Sequence, residues 1–273
     1  MFKPILIEAR NPSPMTGRGN NTYLVAGANG AATLIDAGVG EPPHLAEIDR
    51  RLKAHRARLD RVLVTHGHAD HASGAPVLAS AHEHATFAKY PWPEEDVRYQ
   101  VAWQALADGD VVAAGAAGAA EDESLIVLHT PGHSPDHVVF WHEPTRTAFT
   151  GDLVVAGSSV MIHSSRGGNL AGYLAALERL LALAPRTLLP AHGPRVDDPR
   201  ALITGYLEHR RMRERQVIAA LQAGHATVQA IAESIYDGLA PALMAAAREN
   251  VRAHLEKLRA EGRAVDEAGR WTM

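Results

Sequence analysis

The 273-residue chain contains no cysteine. That excludes a disulfide framework and removes thiolates from the list of metal ligands, leaving His, Asp and Glu. Long apolar runs are also missing. The opening residues, Met1-Phe2-Lys3-Pro4-Ile5-Leu6-Ile7-Glu8, are too short an apolar stretch for a secretory signal. Nowhere does the sequence approach the about 20 apolar residues of a membrane span. The expected location is the cytoplasm, with no membrane partner. Positive charge is not in excess either. There are 27 Lys and Arg against 31 Asp and Glu, a formal net charge of -4. Bulk attraction to nucleic acid is therefore weak, although a local basic patch stays open.

What the chain does have is histidine, 16 in all. Val62-Leu63-Val64-Thr65 reads as a buried strand and runs straight into His66-Gly67-His68-Ala69-Asp70-His71. Three imidazoles and a carboxylate so close together are a metal-ligand set rather than a packing set. Gly67 lets the backbone turn, so that His66 and His68 face one point. Asp70 and His71 open the next segment and face a second point nearby. The arrangement recurs down the chain. Leu125-Ile126-Val127-Leu128-His129-Thr130 delivers Pro131-Gly132-His133, Ala148-Phe149-Thr150 delivers Gly151-Asp152, and Thr187-Leu188-Leu189-Pro190 delivers Ala191-His192-Gly193. The candidate metal ligands are thus His66, His68, Asp70, His71, His133, Asp152 and His192. Enough for two ions if one carboxylate bridges, they leave their strands in one sense, as ligand sites in layered α/β folds do. Asp36, at the end of another strand, is expected to orient a metal-bound His. His137 reads as a hydrogen-bonded core residue, and His44 and His55 as surface residues. His82-Glu83-His84 lacks a third partner and reads as a solvated helix start.

Around these positions the pattern predicts strands at residues 4–9, 21–26, 31–36, 76–80, 138–141 and 146–150. Helices are expected at residues 44–59, 70–75, 170–183, 201–222, 226–232 and 241–259. Residues 91–96 read as a loop and the Ala/Gly-rich stretch 113–123 as flexible. The loop 157–168 follows Asp152 and carries His163 and Arg166, expected substrate contacts. After the last helix, Gly262-Arg263-Ala264-Val265 and Gly269-Arg270-Trp271 read as a small hairpin, completing a winged-helix pattern.

Thr65-His66-Gly67-His68-Ala69-Asp70-His71, Thr130-Pro131-Gly132-His133-Ser134, Thr150-Gly151-Asp152 and Ala191-His192-Gly193-Pro194 together resemble the metallo-β-lactamase fold hydrolases. The resemblance implies an α+β fold, an αββα sandwich over residues 1–200, with the metals at one edge. Residues 201–273 then form a linker helix and a small winged-helix domain. Carried over position by position, His66, His68 and His133 hold a first Zn2+, Asp70, His71 and His192 a second, and Asp152 bridges them. The catalytic chemistry is implied to be hydrolysis by a metal-bound hydroxide, with Asp70 as catalytic residue. Asp152 and His71 in place of Cys is the glyoxalase II and ribonuclease Z pattern, and His68 in place of Glu favours zinc over iron. The whole chain is similar to the β-lactamase-like protein 2 family, whose mitochondrial members are endoribonucleases on single-stranded RNA. The substrate is therefore expected to be single-stranded RNA, with a small-molecule thioester, ester or lactam as the alternative. Arg248, Arg252, Lys257 and Arg259 would supply phosphate contacts. Against this, the winged helix equally suits packing or homodimer formation, and the basic run 209–215 a solvated helix face.

Overall fold

A computed structural model describes residues 2–12, 17, 19–27, 29–115, 124–157 and 159–273. The first half builds one sheet, from β1 (Ile5–Glu8), β2 (Asn21–Ala26), β3 (Ala31–Ile35), β4 (Arg58–Leu63), β5 (Thr86–Lys89) and β6 (Trp103–Ala105), paired in chain order. The first three strands run antiparallel, and β3 to β6 are parallel neighbours. Parallel strands need crossovers, supplied by α1 (Pro42–Ala54), the short α2 (Ala69–Ala72), α3 (Ala75–Ala81) and α4 (Pro93–Asp96). The second sheet has the order β11-β10-β9-β8-β7, from β7 (Val111–Ala113), β8 (Ser124–His129), β9 (Val138–His142), β10 (Thr147–Gly151) and β11 (Thr187–Pro190). The helix α5 (Leu170–Ala182) connects β10 to its parallel neighbour β11.

Alternation along the strands explains why the two sheets stack. In β2, Tyr23 and Val25 face the second sheet while Leu24 faces α1; in β9, Val138 and Phe140 face inward while Val139 and Trp141 meet α5. The central strands β3, β9 and β10 are buried on both faces and so read as near-continuous apolar runs. The result is an α+β, four-layer αββα sandwich.

The chain continues through α6 (Pro199–Gln222), α7 (Val228–Ile235) and α8 (Met244–Ala260) to a hairpin of β12 (Val265–Glu267) and β13 (Arg270–Thr272). Val217 and Leu221 of α6, Ile231 of α7, Val251, Leu255 and Leu258 of α8 and Trp271 of the hairpin form a separate core. The other half of α6 packs on the second sheet through Ile203, Tyr206 and Leu207. One helix therefore belongs to both units. Arg210 marks the passage: its buried guanidinium donates to the Val160 carbonyl and, at 2.6 Å, to Asn250 Oδ1. No described helix is long and apolar enough to cross a membrane.

Four local expectations are corrected. Residues 76–80 form the helix α3, not a strand; Pro76 sits in the first turn, where no N–H is needed, and Ala75 and Leu78 bury one face. His82 caps the end of that helix instead of starting one, and lies 3.5 Å from Asp49. Residues 93–96 form the short helix α4 within the expected loop. His44 is fully buried against Thr22 Oγ1 at 2.9 Å, not at the surface. Of the stretch expected to be flexible, residues 116–123 lie outside the described residues.

Two predictions come from this packing. Gly132 has φ +144°, and a Cβ there would stand 2.3 Å from Tyr173 N and 2.4 Å from Tyr173 Cα. Gly132→Ala should cost about 2–4 kcal/mol, read as a lower urea midpoint with unchanged slope. Burial holds His44 down at about 4. The unfolded chain takes up that proton near 6.5 and the folded chain resists it, so the stability is complete above 6.5 and is lost as pH falls towards 4. Relative to His44→Leu, the native protein should lose about 3 kcal/mol between pH 7 and pH 4. A difference that stays constant with pH would contradict this assignment.

Candidate metal centre

The loops after β3, β4, β8, β10 and β11 meet at one edge of the sandwich. Asp36 follows β3 with φ 63°, a left-handed conformation that Asp tolerates better than most residues. From there Oδ1 accepts from the Thr65 N–H at 2.8 Å, and Oδ2 accepts from His71 Nδ1 at 2.9 Å. The Thr65 hydroxyl donates to Asp36 at 3.0 Å and receives His66 Nδ1–H at 3.1 Å. Protons are thus drawn to the Nδ1 atoms of His66 and His71, and both Nε2 lone pairs point into the site. His133 is held likewise, its Nδ1–H donating to the Met161 carbonyl at 3.0 Å.

His66 Nε2 and His133 Nε2 lie 3.0 Å and 2.9 Å from His68 Nδ1. Beside them, His192 Nε2 is 3.4 Å from Asp70 Oδ2 and 3.3 Å from Asp152 Oδ1, and His71 Nε2 is 3.6 Å from each of the same two oxygens. Asp152 spans both clusters, because its Oδ2 lies 3.6 Å from His133 Nε2. All seven residues predicted from the sequence therefore converge. They fall into three groups that can each hold a cation: His66, His68 and His133; His66, His71 and Asp152; and Asp70, His71 and His192.

The donor chemistry fits metal ions. Three ring nitrogens facing one another at about van der Waals contact or less have too few protons to satisfy all their lone pairs. Asp152 Oδ1 and His192 Nδ1 are buried without a hydrogen bond among the described residues. The field has the right sign as well. Burial opposes charge on His192, yet Asp152 and Asp70 prevail and push it up to about 9. Burial likewise opposes charge on His71, but Asp70, Asp36 and Asp152 hold it well above its ordinary value. Across the site, burial and then His133 hold His68 down at about 3. One side of the centre attracts cations, and the other offers neutral nitrogen ligands.

Sequence reasoning missed three supports. Asn20 Nδ2 donates to Asp70 Oδ2 at 3.1 Å. Asp136, fully buried, accepts the Gly67 N–H at 2.7 Å and the Ser134 hydroxyl at 2.8 Å, and pairs at 3.0 Å with the buried ammonium of Lys89. Tyr99 donates to the Gly67 carbonyl at 2.8 Å. Gly67 leaves room here rather than supplying an unusual φ: a Cβ would fit tightly, 3.1 Å from Glu95 Cγ and 3.2 Å from Asp136 Oδ2. His137 is the core residue expected, accepting the Asp152 N–H at 3.1 Å and meeting Thr130 at 2.8 Å. A cavity of about 390 Å³ opens over the centre, lined by Asp70, Asp152 and His192 and, at its rim, by His163, Arg166 and Arg98.

Residues 15–192 match the family described as "Metallo-beta-lactamase superfamily", and residues 227–271 match "Beta-lactamase associated winged helix domain". The chain belongs to the metallo-beta-lactamase superfamily. Within it, the chain is 30% identical to the Beta-lactamase-like protein 2 homolog of Drosophila melanogaster, over 93% of this chain and 86% of that protein. It is 33% identical to the Atrochrysone carboxyl ACP thioesterase dmxR1 of Cryptosporiopsis sp. (strain 8999), covering 80% of this chain but only 62% of that one. A beta-lactamase domain protein from Burkholderia ambifaria shares the fold, with a TM-score of 0.80 at 24% identity over 99% of this chain and 91% of that chain. The superfamily is one of metal-dependent hydrolases, and the His/Asp cluster is this chain's candidate for the metal site.

If Asp36 aligns His71 as described, Asp36→Asn should weaken metal binding by about 10–100-fold in a competitive chelator titration. Equal affinity in the two proteins would show that His71 needs no such partner.

Proposed function

We propose that the chain is a dinuclear zinc hydrolase that cleaves phosphodiester bonds in single-stranded RNA, with His66, His68 and His133 as one ligand set, Asp70, His71 and His192 as the other, and Asp152 between them. The observation that carries this reading is the mouth of the cavity, where the exposed guanidinium of Arg166 and the ring of His163 stand over the metal-ligand cluster, while Arg98 beside them is paired with Glu95 at 2.7 Å. A phosphodiester is an anion that such a rim attracts while the reacting atoms sit beneath it. When bound, the metals supply Lewis acidity and an activated water.

The chain's own residues do the positioning. Asp70, steadied by Asn20, faces the cavity and is ionised throughout the physiological range, since burial is outweighed by His71 and His192. It accepts a hydrogen bond from the attacking water and orients it. Hydrolysis then forms one bond from water oxygen to phosphorus, breaks one ester P–O bond, and delivers a water proton to the leaving oxygen. His163 and Arg166 hold the substrate's non-reacting oxygens.

A second reading, thioester hydrolysis, is favoured by one observation, the thioesterase named among the relatives. The same centre serves a carbonyl carbon as well as phosphorus.

The deciding experiment is metal analysis followed by turnover of single-stranded RNA, a phosphodiester dye, a thioester and a lactam, beside Asp70→Ala. The expected outcome is two zinc ions per chain and metal-dependent RNA cleavage, reduced by about 10²-fold or more in the variant. Thioester turnover with RNA left intact would establish the second reading, and undiminished activity of Asp70→Ala would overturn the role given to Asp70.

A further inference from the structure

The metal cavity does not end at its rim. A groove of about 640 Å³ leads from it along the winged-helix unit, and Met161, His163 and Arg166 line both spaces. The far wall is one face of α8. Ala245, Arg248, Glu249 and Arg252 recur there at helical spacing, and all four line the groove. Ala245 leaves room where a longer side chain would fill the groove.

The electrostatics of this groove differ from those of the chain as a whole. Three guanidiniums, Arg166, Arg248 and Arg252, face a single carboxylate, Glu249, in a protein of formal charge -4. That carboxylate is already engaged. It accepts Ser165 Oγ–H at 2.8 Å and the Ser165 N–H at 3.2 Å, and lies 3.5 Å from Arg252 Nε. Arg166 and Arg248 are exposed, and among the described residues their side chains make no hydrogen bond or ion pair. They stand on opposite sides, Arg166 on the loop over the metal centre and Arg248 on α8. Glu249 ties the two walls together by pinning the loop next to Arg166.

We propose that this groove is a subsite for a backbone phosphate of a single-stranded polynucleotide, flanking the one cleaved in the metal cavity and held between Arg166 and Arg248. This rests on the polynucleotide reading of the active site. It adds a directional element: the strand leaves the metal centre along α8, not across the open face of the sandwich. Lys257 and Arg259 lie outside the contact. Lys257 is held by Glu214 and Glu261, each at 2.7 Å, and Arg259 pairs with Glu256 beside the Trp271 ring.

The test compares cleavage of a ribodinucleotide and of an oligoribonucleotide of about ten residues, within the range of single-strand site sizes, in the metal-loaded protein, Arg248→Ala, Arg248→Lys and a control, Arg50→Ala on α1. Arg248→Ala should raise KM for the long substrate by about tenfold with little change for the dinucleotide. Arg248→Lys should restore most of the loss. The salt slope of log kcat/KM on the long substrate should fall by about 0.7, one phosphate contact on a single strand. Equal effects of Arg248→Ala on both lengths, or no effect on either, would overturn the subsite. If the native protein cleaves no RNA, the hydrolytic reading fails by itself. Anisotropy binding of the same oligonucleotide then decides the groove: weaker binding with a shallower salt slope in Arg248→Ala upholds it, and unaltered or absent binding overturns it. A rise in KM for a coenzyme A thioester, with none for its phosphate-free N-acetylcysteamine analogue, would assign the groove to the phosphate of a carrier arm and overturn the polynucleotide.

Discussion

One buried carboxylate sets the geometry on which the metal centre depends. Asp36 joins the end of β3 to the end of β4 by accepting from the Thr65 backbone and hydroxyl, and it reaches the start of α2 by accepting from His71. Through the Thr65 hydroxyl it also determines which nitrogen of His66 carries the proton. Two ligands on different turns thus take their tautomer and ring orientation from one side chain. The left-handed backbone at Asp36 is sustained because both of its carboxylate oxygens find donors, in Thr65 and His71. A glycine there would relieve the backbone and lose the aim of both imidazoles.

A second buried group steadies the turn between His66 and His68. Lys89 ends β5, and its three ammonium protons meet Tyr90 O at 2.7 Å, Asp96 Oδ1 at 2.5 Å and Asp136 Oδ2 at 3.0 Å. A buried charge pair costs several kcal/mol in lost hydration, and only near-complete hydrogen bonding offsets that. Here it is near complete, since Asp136 also takes the Gly67 N–H and the Ser134 hydroxyl. Such a pair adds little to stability compared with an apolar substitute. What it adds is specificity: the amide of Gly67 has one place to be, and so have the two ligands flanking it. The same lysine carries Asp96, and with it the segment of Glu95 and Arg98 at the cavity rim.

The layered architecture was legible because alternation and apolar runs are written locally. β2, β9 and β10 declare themselves within a few residues, and the seven candidate ligands each stand just past such a run. The supports were not legible for the same reason. Lys89 ends a four-residue strand, and Asp136 lies between Pro135 and His137; neither shows its partner until the sheets bring positions 47 apart in sequence together. The one local sign was a lysine closing an apolar strand, a place where a charge needs a buried partner. Pro76-Val77-Leu78-Ala79-Ser80 is too short for periodicity to separate helix from strand, so α3 reads as a strand from its sequence. β5, β6 and β7, with only three or four residues each, are defined by their neighbours rather than by their own composition. His44 reads as a surface residue because it sits among charged neighbours on α1, and nothing in the helix pattern shows that Thr22 waits beneath it.

The basic residues of the C-terminal third show why charge has to be counted after folding. In the sequence, 209–215 is a single basic run. In the structure, Arg210 is an internal strut between α6, α8 and the segment at Val160, Arg213 stacks on Tyr236, and Glu214 gathers Lys257 and Arg263. Arg210 ties the winged-helix unit to the sandwich, Arg213 and Glu214 tie that unit together within itself, and only part of the run is a solvated face. The strut has a functional corollary. Arg210 and Glu249 grip the two ends of the segment that carries His163 and Arg166, so the wall of the cavity takes its position from the C-terminal helices. Met161, whose carbonyl holds His133, lies on the same segment, so the C-terminal helices bear on one candidate ligand as well as on the rim. The winged-helix unit is therefore part of the architecture of the candidate metal centre.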